Sequence, residues 1–198
     1  MAERILININ EIDCKIVSAL IKVGVSRKDA ELVSKSLIDA EACGVESHGL
    51  IRLKAYIDRI TSGLINPMPN IKIKLNGAIA TVDGDNGMGQ IVTDYSTDKC
   101  IELAKKNGVG IIAIHNSNHF GVAGYYSSKI ASEGCIGFAA SMAGPTMAPF
   151  GGMELLLGTN PFSIAFPAKN QNFCIDMASS AVAKGKIRIY SKEKNLFH

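Results

Sequence analysis

Two short stretches hold the side chains best suited to chemistry. Ser47-His48-Gly49-Leu50-Ile51-Arg52 sets a hydroxyl, an imidazole and a guanidinium close together. His115-Asn116-Ser117-Asn118-His119 ends an apolar run with two imidazoles and no charged residue between them. A histidine titrates near neutrality and can give or take a proton at working pH. An arginine fork can hold a carboxylate through two parallel hydrogen bonds. If Ser47 caps a helix, His48 and Arg52 fall at i and i+4 on one face. The first turn would then add unpaired N–H groups and the positive end of the helix dipole. Such a site suits a small organic anion that exchanges a proton. The plainer reading is an ordinary cap with His48 and Arg52 on a wet helix face, and spacing alone favours it.

The second stretch has the i, i+4 spacing of a helical zinc pair. Its Asn-Ser-Asn centre offers neither the catalytic glutamate of H-E-x-x-H nor a good helix, and no nearby cluster supplies a third ligand. No metal is expected. Gly84-Asp-Asn-Gly87-Met-Gly89 follows a strand and precedes a helix. Its glycines run in the reverse order to the dinucleotide fingerprint G-x-G-x-x-G, and no P-loop motif is present. Neither a Rossmann fold nor a P-loop is supported.

The elements that must carry these residues follow from periodicity. Asn10 is positioned to cap a helix burying Ile12, Ile16, Ala19 and Leu20, stopped by Gly24. Ser26-Arg-Lys-Asp29 resembles a capping box and opens a second helix with Ala30, Val33 and Leu37 on its apolar stripe. A third helix runs from Glu46 to Ile60 with Ser47 as its cap. After the stiff Asn66-Pro-Met-Pro69 connector, Ile71–Leu75 and Ala78–Val82 read as strands around an Asn76-Gly77 hairpin turn. Met88–Lys106 reads as a long helix closed by Asn107-Gly108. Val109–Ile114, short, β-branched and uninterrupted, reads as a buried strand. A helix from Val122 to Ser132 and a strand from Cys135 to Ala140 come next. A Gly/Pro-rich loop follows over Met142–Gly152, and then apolar runs at Ser163–Pro167 and Phe173–Met177. The expectation is an α/β protein: a helical amino-terminal subdomain with the substrate-binding helix over residues 1–70, then an incomplete, non-Rossmann α/β cofactor-binding domain over 71–198.

Composition agrees with a globular chain. Of 198 residues 47% are hydrophobic and 20% charged, and the net charge of +3 is spread without a basic run, so no nucleic-acid partner is expected. No signal peptide or membrane span is read in the sequence. Five scattered cysteines without a C-x-x-C pair suggest small buried hydrophobes in a reducing, cytoplasmic setting.

Taken in order, a set of segments resembles the type-2 malate/L-lactate dehydrogenase family. The segments are Ser47-His48-Gly49 with Arg52, Gly63-x-x-Asn66-Pro67, Asp83-x-x-x-Gly87-x-Gly89-Gln90, Asn116-Ser-Asn-His119-Phe-Gly121, Pro149-Phe-Gly-Gly152, Gly158-Thr-Asn-Pro161, Asp176-Met-Ala178 and Gly185-Lys186. The family also includes ureidoglycolate dehydrogenase, diketogulonate reductase, sulfolactate dehydrogenase and the piperideine-carboxylate reductases. The resemblance implies hydride transfer between NAD or NADP and a small 2-hydroxy acid/2-keto acid such as malate or lactate, by a homodimer with a non-Rossmann cofactor domain. Residue by residue it implies a proton relay at Ser47 and His48, a substrate-carboxylate ligand at Arg52 and a second catalytic histidine at His119. It also implies a substrate-side role for Thr159, and cofactor contacts from His119, Phe120, Gly121, Asp176, Met177 and Ala178. His48, sharing a helix face with Arg52, is the favoured proton donor. Family members run further, through segments that complete the cofactor pocket. The alternative expectation is therefore a truncated, catalytically weak or inactive relative, its apolar stripes at 12–20 and 30–37 short of partners.

Overall fold

The computed structural model describes residues 6–180; Gly185-Lys186 lies outside them. Capping decides where the first helices begin. The Asn8 side chain accepts a hydrogen bond from the Asn10 N–H at 2.9 Å and starts α1 (Ile9–Lys22), so Asn10 lies inside the helix and is not its cap. Ser26 caps α2 (Arg27–Ala42) as expected. Its hydroxyl accepts from the Asp29 N–H at 3.2 Å and donates to the Asp29 carboxylate at 2.7 Å.

The apolar stripes of these helices bury each other. Ile16 and Leu20 of α1 and Ala30, Val33 and Leu37 of α2 are fully buried. Tyr56 and Ile60 of α3 (Leu53–Thr61) join them, as do Met88 and Ile91 at the start of α4 (Gly89–Asn107). The expectation that these stripes lack partners is therefore wrong: α1 and α2 pack together, and α3 and α4 close the cluster. Leu37→Ala should lower the unfolding free energy by about 2–5 kcal/mol, because it removes buried methyls and leaves a cavity. Urea unfolding followed by circular dichroism measures this, and a loss under about 1 kcal/mol would mean that the core collapses around the gap.

Strands β1 (Lys72–Asn76) and β2 (Ile79–Gly87) form the expected hairpin, but pairing of Asn76 with Ile79 puts Gly77-Ala78 in the turn. Gly77 has φ of +61°, and glycine in the first of two turn positions suits a type II′ turn, one residue beyond the Asn-Gly pair. From β2 the chain passes through α4 to β3 (Ile111–Ser117), which pairs parallel to β2 at the edge of the order β1-β2-β3. As an edge strand β3 is not buried: Ile111 is 53% exposed and Ile114 36%. A short, uninterrupted apolar run reads as a buried strand, a state that an edge position does not supply among the described residues.

Helix α5 (Ala123–Ser132) covers one face of a second sheet, β4 (Gly137–Ala140), β5 (Phe162–Phe166) and β6 (Phe173–Met177), antiparallel throughout. The protein thus mixes helices and small sheets, and a single parallel strand pair is far from a doubly wound Rossmann sheet. The cysteines depart from expectation: all five are free, but Cys14, Cys43 and Cys174 are exposed, with Cys100 and Cys135 half-buried. No helix among the described residues is long and apolar enough to cross a membrane.

Candidate active site

Ser47 does not cap a helix. Residues Glu46–His48 and Leu50–Arg52 form two 3₁₀ turns, and α3 begins only at Leu53. Gly49, between the turns, interrupts the helical periodicity that placed His48 and Arg52 one turn apart. The backbone donors of this segment are engaged: His48 N–H donates to the Val45 carbonyl, Arg52 N–H to that of Gly49, and Leu50 N–H to the Glu41 carboxylate at 3.0 Å. The expected anion seat at a helix N-terminus is therefore absent. What remains is side-chain chemistry.

The Ser47 hydroxyl lies 2.9 Å from His48 Nδ1. Arg52 Nε donates to the Ser47 carbonyl at 2.6 Å, which fixes the guanidinium plane and leaves its two terminal nitrogens available. No carboxylate among the described residues pairs with Arg52. Across from this segment, the His119 ring stacks on His48 with centroids 5.4 Å apart. Tyr56, four residues beyond Arg52 in α3, brings its hydroxyl 2.7 Å from His119 Nδ1 and accepts from the buried Gln90 amide at 2.9 Å. The structure therefore brings Ser47, His48, Arg52 and His119 together as expected, and adds Tyr56 and Gln90. Gln90 stands in the sequence only as the last residue of the Asp83–Gln90 segment, with no role attached, and Tyr56 only as one residue of the helix expected over Glu46–Ile60. The only signal was the extension of the His48/Arg52 spacing by one more turn.

His119 is held from behind by a lock between two loops. The Asn118 amide donates to the carbonyls of Asn86 and Gly87 at 3.0 and 2.9 Å, while Arg59 donates to its oxygen at 3.2 Å. Gly89 lies so close that a Cβ there would come within 2.2 Å of the Asn118 carbonyl and 2.4 Å of that of His119.

Both histidines resist protonation. Burial first, then the positive charge of Arg52, pushes His48 down to about 4. The same causes, with His48 added, hold His119 well below its ordinary value; although the residue as a whole is exposed, its ring is wedged between His48 and Tyr56. With the folded-state value depressed, the unfolded chain binds more protons between pH 6.5 and 4, so stability is full above pH 6.5 and is lost as the pH falls toward 4. The melting temperature should fall across that window, and fall less in His48→Asn. An identical pH profile for the variant would show that His48 is solvated.

The remaining predicted residues gather at one end of the second sheet. The Asp176 carboxylate accepts from the Gly124 N–H at 2.6 Å, capping α5, and burial raises its pKa against that bond. Met177 pairs with Phe162 and is half exposed, and Ala178 is half-buried. The Thr159 carbonyl accepts from the N–H and hydroxyl of Ser179 at 2.9 and 3.0 Å. No hydrogen bond joins Thr159 to Arg52 or His48. Residues 119–124 link the two groups: Gly121 N–H donates to His119 Nδ1 at 3.3 Å, and Tyr126 anchors the Phe120 carbonyl at 2.5 Å before Gly124 reaches Asp176. Among the described residues no set of three or more His, Cys, Asp or Glu could hold a metal, and His115 and His119 lie on either side of the end of β3, not on a helix.

The arrangement sets a fixed cation beside two neutral imidazoles, and among the described residues no carboxylate pairs with Arg52. The family model for malate/L-lactate dehydrogenase matches residues 7–197. A malate dehydrogenase of Pyrococcus abyssi is 46% identical over 179 residues, covering 90% of this chain and 49% of the relative. A (2R)-3-sulfolactate dehydrogenase (NADP(+)) of Chromohalobacter salexigens is 37% identical over 94% of this chain and 56% of its own length. The solved malate dehydrogenase of Pyrococcus horikoshii superposes with a TM-score of 0.91 at 43% identity, over 93% of this chain and 53% of that one. The chain spans about half the length of the relatives it matches. With the family model matching nearly the whole chain and the fold in agreement, the chain belongs to the malate/L-lactate dehydrogenase family.

Proposed function

We propose that this chain carries the substrate-side machinery of an oxidoreductase that moves a hydride between NAD or NADP and a small 2-hydroxy acid/2-keto acid such as malate or lactate. In this reading residues 1–70 hold the substrate and residues 71–198 contribute to the cofactor side. The observation that carries it is Arg52, oriented by the Ser47 carbonyl and facing two stacked neutral histidines. The terminal nitrogens of Arg52 grip the substrate carboxylate bidentately. His48, beside Arg52 and in contact with Ser47, exchanges the proton with the substrate oxygen. Thr159 stands on the substrate side.

The described residues fit the nicotinamide end of a dinucleotide, away from its phosphates. His119, Phe120 and Gly121 offer a polar but neutral wall, and Met177 and Ala178 an apolar one. They do not answer its phosphates, because Asp176 already sets a carboxylate at the N-terminus of α5, where an anion would otherwise be welcome. The nicotinamide supplies the hydride itself, so the protein's work is positioning, proton supply and charge. Part of the depression of the His48 pKa comes from Arg52. A bound carboxylate offsets that charge and moves the pKa of His48 part of the way back up, while the larger effect of burial remains. A homodimer working in the cytoplasm completes the reading, supported by the apolar face of the second sheet, which offers a partner surface.

The test is absorbance at the nicotinamide band with a panel of 2-keto acids, on this chain and on one extended to the relatives' length. The extended chain should consume reduced cofactor with at least one acid, and no turnover with any of them would refute the proposal. Arg52→Lys should raise the substrate KM on the order of 10- to 100-fold, since a point charge does not reproduce the fork and a charge-assisted contact is worth about 1.5–3 kcal/mol. An unchanged KM would make Arg52 a surface residue.

A further inference from the structure

Two donors converge on one nitrogen of His119. The Tyr56 hydroxyl stands 2.7 Å from Nδ1, and the Gly121 N–H points at the same atom at 3.3 Å. A backbone N–H can only donate, so Nδ1 must accept, and a hydrogen on Nδ1 would face the hydrogen of Gly121. The same argument orients Tyr56: its hydroxyl accepts from Gln90 Nε2 at 2.9 Å and so has its own hydrogen free for His119. Reversing the Gln90 amide would draw the Tyr56 hydrogen toward Gln90 and leave Nδ1 with Gly121 alone. Gln90 is fully buried, and among the described residues Tyr56 is the hydrogen-bond partner of its amide, its Oε1 having none. Burial pushes the Tyr56 phenol up to about 12, which keeps it a donor at any working pH.

We infer that Tyr56, backed by Gln90, is a positioning residue that holds His119 as the neutral tautomer with its hydrogen on Nε2. Nothing in the motif set points to Tyr56 or to this tautomer. The use of the tautomer rests on the dehydrogenase reading. Neutral His119 then presents Nε2–H as a hydrogen-bond donor that polarises the keto oxygen, while His48 exchanges the proton. The division resembles sites in which a neutral imidazole serves as an electrophile and another group handles proton transfer. It also gives the two stacked histidines different work, which their similar surroundings do not reveal.

The experiment is ¹⁵N NMR of the imidazoles in the labelled chain; with four histidines in the sequence, a His119→Asn variant assigns the signals. Between about pH 6 and 8, where an ordinary histidine titrates, His119 Nδ1 should resonate as bare and Nε2 as protonated, with no measurable Nδ1–H population. Tyr56→Phe removes a donor to the neutral form. An Nδ1–H population should then appear, and the His119 pKa should rise by about one unit, the equivalent of one hydrogen bond. If Tyr56→Phe does not fold, Gln90→Met frees the Tyr56 hydroxyl to rotate and should move both readings the same way. A protonated Nδ1 in the unaltered chain, or an unchanged tautomer in both folded variants, overturns the assignment; a general loosening of the fold would disturb backbone signals instead. Oxamate, a non-reducible analogue of a 2-keto acid, separates this from the functional reading. A shift at Nε2 alone supports the role, and a change of protonation at Nδ1 overturns it. No binding of oxamate, with the tautomer as described, counts against the dehydrogenase reading and leaves the tautomer assignment standing.

Discussion

His48→Ala, in a chain extended to the length of its relatives, should reduce a 2-keto acid about 10²–10⁴-fold more slowly than the unaltered sequence, the usual cost of losing a positioned general acid–base. The pH profile should distinguish the two histidines. Reduction needs a protonated donor, so its rate declines at high pH, and oxidation needs a deprotonated acceptor, so its rate declines at low pH. Both limbs should flatten in His48→Ala. His119→Ala should also lower turnover but keep the limbs, because a group that only donates a hydrogen bond does not titrate in that range. Measuring kcat and KM in both directions across pH checks this. If the limbs survive His48→Ala and vanish with His119→Ala, the two assignments are exchanged; if neither substitution touches them, the proton is carried elsewhere.

The start of α2 and the end of α4 are the most legible boundaries in the chain, and the reason is local. Ser26 and Asp29 settle their hydrogen bonds within one turn, and Asn107-Gly108 ends α4 through a left-handed glycine, so short stretches carry the whole signal. The Ser47–Arg52 segment departs from the expected helix because a donor at its centre is satisfied from outside it. Glu41, nine residues away, takes the Leu50 N–H, and the chain tightens into 3₁₀ turns instead of a helix. The residue types were right even so, since imidazole and guanidinium announce their chemistry whatever the backbone does. The roles of Tyr56 and Gln90 are hidden for the opposite reason. They are 63 and 29 residues from His119 in sequence, and their role exists only where α3, α4 and the 116–121 loop meet. The burial of β3 was misjudged because periodicity reports what a strand seeks to bury, not what lies beside it.

The second large effect is association. On the second sheet, Phe138, Ile164 and Ile175 lie side by side in register, flanked by Phe166 paired with Phe173 and by Phe162 paired with Met177. All lie on the face opposite α5. Phe138 is 63% exposed and Phe173 58%, and in the adjoining loop Met142, Phe150 and Met153 are almost bare. A contiguous apolar surface of this kind is uncommon on a monomer in water, and β3 adds an open strand edge. The purified 198-residue chain should therefore self-associate with rising concentration and bind NAD(H) and NADP(H) poorly. Sedimentation velocity and nucleotide fluorescence measure the two effects. Phe138→Lys with Ile175→Lys should shift the population toward monomer without melting α1–α3. A chain that stays monomeric at every concentration and reduces a keto acid at an ordinary rate, on the order of 1–10³ s⁻¹, would show that the exposed face needs no cover and that the catalytic machinery is complete.

The contact between Gly89 and the Asn118–His119 backbone has an evolutionary consequence. With carbonyl atoms 2.2 and 2.4 Å from where a Cβ would stand, no side chain fits, and the atoms in the way are main chain and cannot swing aside. Any replacement must push the loop that carries His119, while the buried cores on either side need not change. The mutational target for loss of activity is thus wider than the set of residues that touch substrate. A lineage released from selection would lose this site through a glycine that never meets the acid as readily as through a histidine that does. Descendants of that kind would still fold, and would keep Ser47, His48, Arg52 and His119 intact in their sequences.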